Sequence, residues 1–101
     1  MNKRKKIKIT PFDSAEYLDS DKAVSAYLEE AFATDDPAFV AKALGTVARA
    51  RGMTQIAKKS GLTRESLYKA LSVEGNPKFR TIIRVMNALD VRLAVRPAST
   101  R

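Results

Sequence analysis

The stretch TRESLYKALS, residues 63–72, concentrates the recognition chemistry of this 101-residue chain. At helical spacing Leu67 turns inward, while Arg64, Glu65, Ser66, Tyr68, Lys69 and Ser72 turn outward. Arginine can grip guanine through two parallel hydrogen bonds, glutamate can accept from the cytosine amino group, and serine can do either. A helix bearing such groups on one face suits the major groove of DNA. Arg64, Glu65, Ser66 and Lys69 are therefore the candidate base readers. A plainer reading of Glu65 and Lys69 is a surface pair one turn apart, worth about 0.3–0.5 kcal/mol. Thr63 caps this helix on the sequence reading and is placed to touch phosphate. Gln55, Tyr68, Asn76 and Lys78 fall at helix starts or flanks suited to the DNA backbone. Tyr68 reads equally well as a half-buried packing residue.

Two short helices must hold these groups. The segment MTQIAKKSGLTRESLYKALS, residues 53–72, reads as a helix, a turn at Gly61, and a second helix after Thr63. Ala57 is small enough for close helix packing, and Gly61 can take the positive φ of a helix terminus. Leu62 and Leu67 anchor the turn and the second helix. Upstream, Ser20 caps a helix over 21–33, with Val24, Tyr27, Leu28, Ala31 and Phe32 on one stripe. Asp36 and Pro37 restart the chain into a helix over 37–51, whose stripe is Val40, Ala43, Leu44, Val47 and Ala48. Arg49 and Arg51 fall in its last turn, and Gly52 ends it. Downstream, Asn76 and Pro77 read as cap and first residue of a helix over 77–89. Phe79, Ile82, Ile83, Met86 and Leu89 form its stripe, and Asp90 ends it. Leu62, Leu67, Leu71, Phe79, Ile82 and Ile83 are assigned to the core.

The expected fold is all-α: a compact bundle of about five helices containing a helix-turn-helix. After it, residues 91–96 alternate apolar and polar, the period of a strand. One strand cannot stand alone. Its partner is residues 7–9 or, as favoured here, the same segment of a second subunit, so Val91, Leu93 and Val95 are the candidate dimerisation residues. The plain reading is a tail packed on its own core. The chain divides into a basic arm (1–9), a single domain (10–96, with an acidic N-terminal extension over 10–35) and a tail (97–101).

Composition narrows the function. The chain has no His and no Cys. The commonest general base, the commonest metal ligand and any thiolate site are thus missing, and no carboxylate or Lys arrangement suggests catalysis. No enzyme activity, metal or cofactor is expected. No apolar run approaches the ~18 residues of a membrane span, which with the lack of Cys fits a cytoplasmic protein.

The net charge of +8 conceals a division. Residues 1–10 carry five Lys/Arg and no acid, residues 11–40 carry eight acids against Lys22, and residues 41–101 carry thirteen Lys/Arg against three acids. A basic body favours a polyanion, above all nucleic acid. The acidic belt would repel phosphate. It is either a solvated face or the seat of a second, basic partner. Lys3, Arg4, Lys5 and Lys6 are either solvated or follow a phosphate track.

The stretches TPFDSAEYLDSDKAVSAYLEEAF and VARARGMTQIAKKSGLTRESLYKALSVEGNPKFRTIIRVMNALDVRL resemble the antidotes of addiction modules. These are HigA-like antitoxins of the Xre-like helix-turn-helix superfamily, with a lambda-repressor-like fold. The segment RGMTQIAKKSGLTRESLYKALS followed by GNP is the specific part. Common phage-repressor-like sequences place Gln four residues before the small Ala; here Gln55 precedes Ala57 by two, implying a shorter first helix. The resemblance implies a type II antitoxin that neutralises a small basic toxin, RelE/HigB-like, and represses its own operon by binding operator DNA as a dimer. The acidic third then becomes the toxin-binding candidate, through Phe12, Asp13, Glu16, Tyr17, Tyr27, Glu29 and Glu30. A stand-alone Xre-type repressor without a toxin is the alternative.

Overall fold

The computed structural model of the protein describes residues 18–72 and 74–98. Five helices occur among them: α1 (Asp21–Ala33), α2 (Pro37–Arg51), α3 (Met53–Ser60), α4 (Arg64–Ala70) and α5 (Phe79–Ala88). The first four arise where the capping residues direct. Ser20 holds β geometry (φ −135°, ψ 157°) and its Oγ accepts from the Ala23 amide at 3.1 Å, starting α1. Asp36 accepts from the Ala38 amide at 3.0 Å, and Pro37 occupies the first position of α2 without wasting a donor. Gly52, at φ 107°, ends α2 and begins α3 in one residue. Gly61, at φ 79°, closes α3 in the left-handed region. Its amide bonds to Lys58 O at 3.3 Å, and the Leu62 amide bonds to Ala57 O at 3.0 Å. These two bonds form the paired closure that satisfies the last carbonyls of a helix.

Helix α2 is the hub. It buries Val40, Ala41, Ala43, Leu44, Gly45, Val47 and Ala48, so it is enclosed on more than one side. Helix α1 lies against it through Val24, Leu28 and Ala31, with Tyr27 and Phe32 half-buried at the edge. Helix α3 packs on α2, α4 and α5, inserting Met53, Ile56 and Ala57. Ser60, also buried, donates its hydroxyl to Ala57 O at 3.1 Å and so brings no unpaired polar group inside. Leu67 and Leu71 anchor α4; Val85, Met86, Ala88 and Leu89 anchor α5. Leu18 is buried in the same core.

Three expectations need correction. Helix α5 begins at Phe79 with Lys78 at its N-cap and no side-chain cap bond, so Asn76 and Pro77 precede the helix rather than start it. Phe79, assigned to the core, is 66% exposed. Leu62 and Ile82 are only half-buried against the core, and Ile83 is half-buried too. A side chain in the first turn points back toward the N-terminus, past the last neighbour that could cover it, which strands Phe79 outside. The predicted strand over residues 91–96 is also absent: no strand occurs among the described residues. Asp90 (φ 63°) does end α5, with the Val91 amide bonded to Met86 O at 3.0 Å. Val91 stays against the core, but Leu93 and Val95 are exposed. An alternating pattern becomes a strand only when a second strand supplies ladder bonds. Residues 91–96 are instead tied to α1 by an ion pair between Arg96 and Glu29.

Candidate nucleic-acid interface

Helix α4 is a seven-residue platform, about 10 Å long at 1.5 Å per residue. Thr63 starts it: the residue is extended (φ −78°, ψ 158°) and its Oγ1 accepts from the Ser66 amide at 2.9 Å. Leu67 is fully buried and Leu71 nearly so, which fixes the roll of the helix about its axis. That roll leaves Arg64, Glu65, Ser66, Tyr68 and Lys69 exposed together, as the spacing predicts. Among the described residues no ion pair joins Glu65 to Lys69. Their charged groups are therefore not tied up in the surface pair that was the plainer reading.

The second part of the surface is the junction of α2 and α3. The α3 N-terminus carries no side-chain cap, because its N-cap is Gly52. The amides of a first helical turn have no partner within the helix and carry the positive end of its dipole. Arg49, Arg51, Thr54 and Gln55 surround this end, and with Arg64 and Tyr68 they line one shallow depression. Arg51 is held by Asp21 at 3.2 Å, which ties the start of α1 to this surface. Arg49 donates to Thr46 Oγ1 at 3.4 Å. Gln55 and Arg64 thus line the same depression, whereas Arg49 and Arg51 were not among the candidates. Their signal was two arginines in the last turn of α2, immediately before a glycine whose missing side chain cannot cap α3.

On the opposite flank of α4, Ser66, Lys69 and Asn76 line a second shallow hollow, and Lys78 is exposed beyond it at the start of α5. The exposed residues among 54–55, 64–69 and 76–78 thus lie along the two flanks of α4, with Glu74 also lining the second hollow. The other candidates that are described line neither hollow. Glu29 and Glu30 are exposed on α1. Tyr27 packs against the core, so its ring is less available as an anchor than the sequence suggested. Phe12, Asp13, Glu16 and Tyr17, the arm residues Lys3, Arg4, Lys5 and Lys6, and the alternative strand at 7–9 lie outside the described residues. Among the described residues no cluster of acids could hold a metal ion, and no helix is long and apolar enough to cross a membrane.

No solved structure matches the chain significantly. An uncharacterized protein of Haemophilus influenzae is 48% identical over 84 residues, covering 83% of this chain and 87% of the relative. A protein-family model described as "Probable addiction module antidote protein" matches residues 8–97, nearly the whole chain. The chain belongs to this family of addiction-module antidote proteins.

Proposed function

We propose that the chain is the antitoxin of a type II toxin–antitoxin module, HigA-like and of the Xre-like helix-turn-helix superfamily. It neutralises a small basic toxin of the RelE/HigB kind and represses its own operon by binding operator DNA. One observation carries the DNA half of this reading: Arg64, Glu65, Ser66 and Lys69 are all exposed on a helix whose roll is set by buried Leu67 and Leu71. In this reading α3 and α4 are the motif and α4 enters the major groove. Arg64 meets guanine, Glu65 and Ser66 meet neighbouring base edges, and Lys69 meets a base or a phosphate. The uncapped α3 N-terminus with Gln55, the hydroxyl of Thr63, and Asn76 with Lys78 hold phosphates on the two sides.

The toxin half rests on charge and on the family. An antidote acts by binding a toxin, and the described acidic residues of α1 and its flanks, apart from Asp21 paired with Arg51, line neither of the hollows that the basic residues Arg64 and Lys69 line. A basic toxin is steered to the former and phosphate to the latter. The exposed apolar residues Leu93 and Val95 support a homodimer whose interface includes them. Two α4 helices would then meet half-sites about 34 Å apart, or a multiple of that.

Fluorescence anisotropy with the promoter upstream of the chain's own gene tests the DNA half. The promoter duplex should bind far more tightly than a scrambled one. Arg64→Ala should cost about 1–3 kcal/mol per subunit and relax preference at one base pair. Lys78→Ala should weaken specific and non-specific binding alike and flatten the salt dependence. Equal affinity of the wild type for promoter and scrambled DNA would overturn this reading.

A further inference from the structure

Arg64 is the first residue of α4, and Tyr68 lies one turn further on. Helical side chains lean toward the N-terminus, so Tyr68 leans back over the path that Arg64 takes from the backbone. The Arg64 guanidinium carbon lies 5.6 Å from the centre of the Tyr68 ring. Arg64 Nη2 also donates to the Tyr68 hydroxyl at 3.3 Å. One guanidinium is thus held twice, once by the ring and once by the phenol oxygen. Tyr68 remains 44% exposed, so the pair stands on the surface rather than in the core. No carboxylate is paired with Arg64 among the described residues, so its charge stays available to a ligand.

The two partners that Arg64 can meet on DNA differ in what they demand. A phosphate accepts a guanidinium from many directions. Guanine accepts two parallel hydrogen bonds only when the guanidinium plane is aligned with its O6 and N7 edge. An unsupported arginine surrenders much rotamer freedom to achieve that alignment, and a supported one surrenders less. Support from Tyr68 therefore favours discrimination between bases over general affinity for DNA.

We propose that Tyr68 is a positioning residue that confers base selectivity on Arg64, rather than a phosphate ligand or a packing residue. The inference rests on the DNA-binding function proposed above and specifies how it is achieved. It makes Tyr68 act through Arg64, so the two side chains are energetically one unit.

The test uses the full chain and duplexes selected from a randomised pool by the wild-type protein. Binding to each single-base-pair variant of the selected site is measured at one fixed salt concentration, for the wild type, Arg64→Ala, Tyr68→Ala, Tyr68→Phe and the double alanine variant. Arg64→Ala should lower discrimination at one base pair per half-site by about 5- to 150-fold, the usual range for a paired arginine–guanine contact. Tyr68→Ala should lower discrimination at that same base pair, by a smaller factor, and leave the others unchanged. The double variant should match Arg64→Ala alone, because the effect of Tyr68 passes through Arg64. Tyr68→Phe, which keeps the ring, should fall between wild type and Tyr68→Ala. If the alanine variant does not fold, Tyr68→Leu keeps the bulk, removes both contacts and carries the same expectation. Uniform weakening on all duplexes would make Tyr68 a phosphate ligand, and unchanged discrimination would make it a packing residue; either overturns the proposal. Additive losses in the double variant would overturn it too. Should the wild type prefer no sequence at all, the DNA-reading function itself falls and the role of Tyr68 falls with it. If the wild type and Arg64→Ala behave as expected while the Tyr68 variants do not, only the role of Tyr68 falls.

Discussion

Replacing Gly45 by alanine sets two effects of opposite sign against each other. Glycine inside a helix is less favourable than alanine by about 1 kcal/mol, so in an open site the change stabilises. At Gly45 the site is closed. A Cβ there would lie 2.8 Å from Leu71 O and 3.4 Å from Leu71 Cβ. Leu71 is buried and closes α4, so the nearest obstacle is backbone and cannot swing aside. Forcing extra volume into a packed interior costs about 1–3 kcal/mol. The steric cost wins, and Gly45→Ala should destabilise the chain by about 1 kcal/mol net. For a domain of this size that lowers Tm by roughly 4–8 °C. Thermal melting and urea titration followed by circular dichroism measure both quantities. Because the displaced atom belongs to the end of α4, operator affinity should fall as well. A stabilisation of about 1 kcal/mol would refute the reasoning. It would mean that the end of α4 does not rest on α2 at this point.

The same contacts set the outcome of other changes. Thr63→Ala removes the acceptor for the Ser66 amide and should cost about 1 kcal/mol in a urea titration, whereas Thr63→Ser should cost little. Changing Asp19, Glu29 and Glu30 together to Lys should slow toxin capture strongly at low salt in stopped-flow measurements, while operator binding stays level or improves. The ion pair of Glu29 with Arg96 is exposed, so its loss should change stability by no more than about 1 kcal/mol. Changing Leu93 and Val95 together to Asp should turn the proposed dimer into a monomer in sedimentation equilibrium without lowering helix content. A wild-type chain that already sediments as a monomer, free and on DNA, would show that Leu93 and Val95 form no dimer interface.

The helical part of the fold was legible because its instructions are local. Ser20, Asp36 with Pro37, Gly52, Gly61 and Thr63 each act on the backbone within a few residues, and helices α1 to α4 begin where these residues place them. The start of α5 was not legible. Asn76 and Pro77 carry the usual signature, yet the helix begins at Phe79 with Lys78 at its N-cap. Apolar spacing likewise caught only Met86 and Leu89 of the buried face of α5: it missed Val85 and Ala88 and included Phe79, which no neighbouring element covers. The strand at 91–96 failed for a related reason: alternation is local, but a ladder partner is not. At the candidate site, the outward face of α4 followed from the inward position of Leu67. The link between Arg51 and Asp21 spans thirty positions and had no sequence signal. The pairing of Arg64 with Tyr68 did have one, since residues four apart on a helix meet.

On the proposed function, operator DNA is read by α4 and held by the flanking turns, while α1 stays clear of it. Amide chemical-shift mapping of the labelled full chain, titrated with its promoter duplex, tests this most directly. The largest changes are expected at residues 53–55, 63–69, 76 and 78, and small ones over α1. Changes centred on Glu29 and Glu30, with 63–69 unmoved, would contradict it.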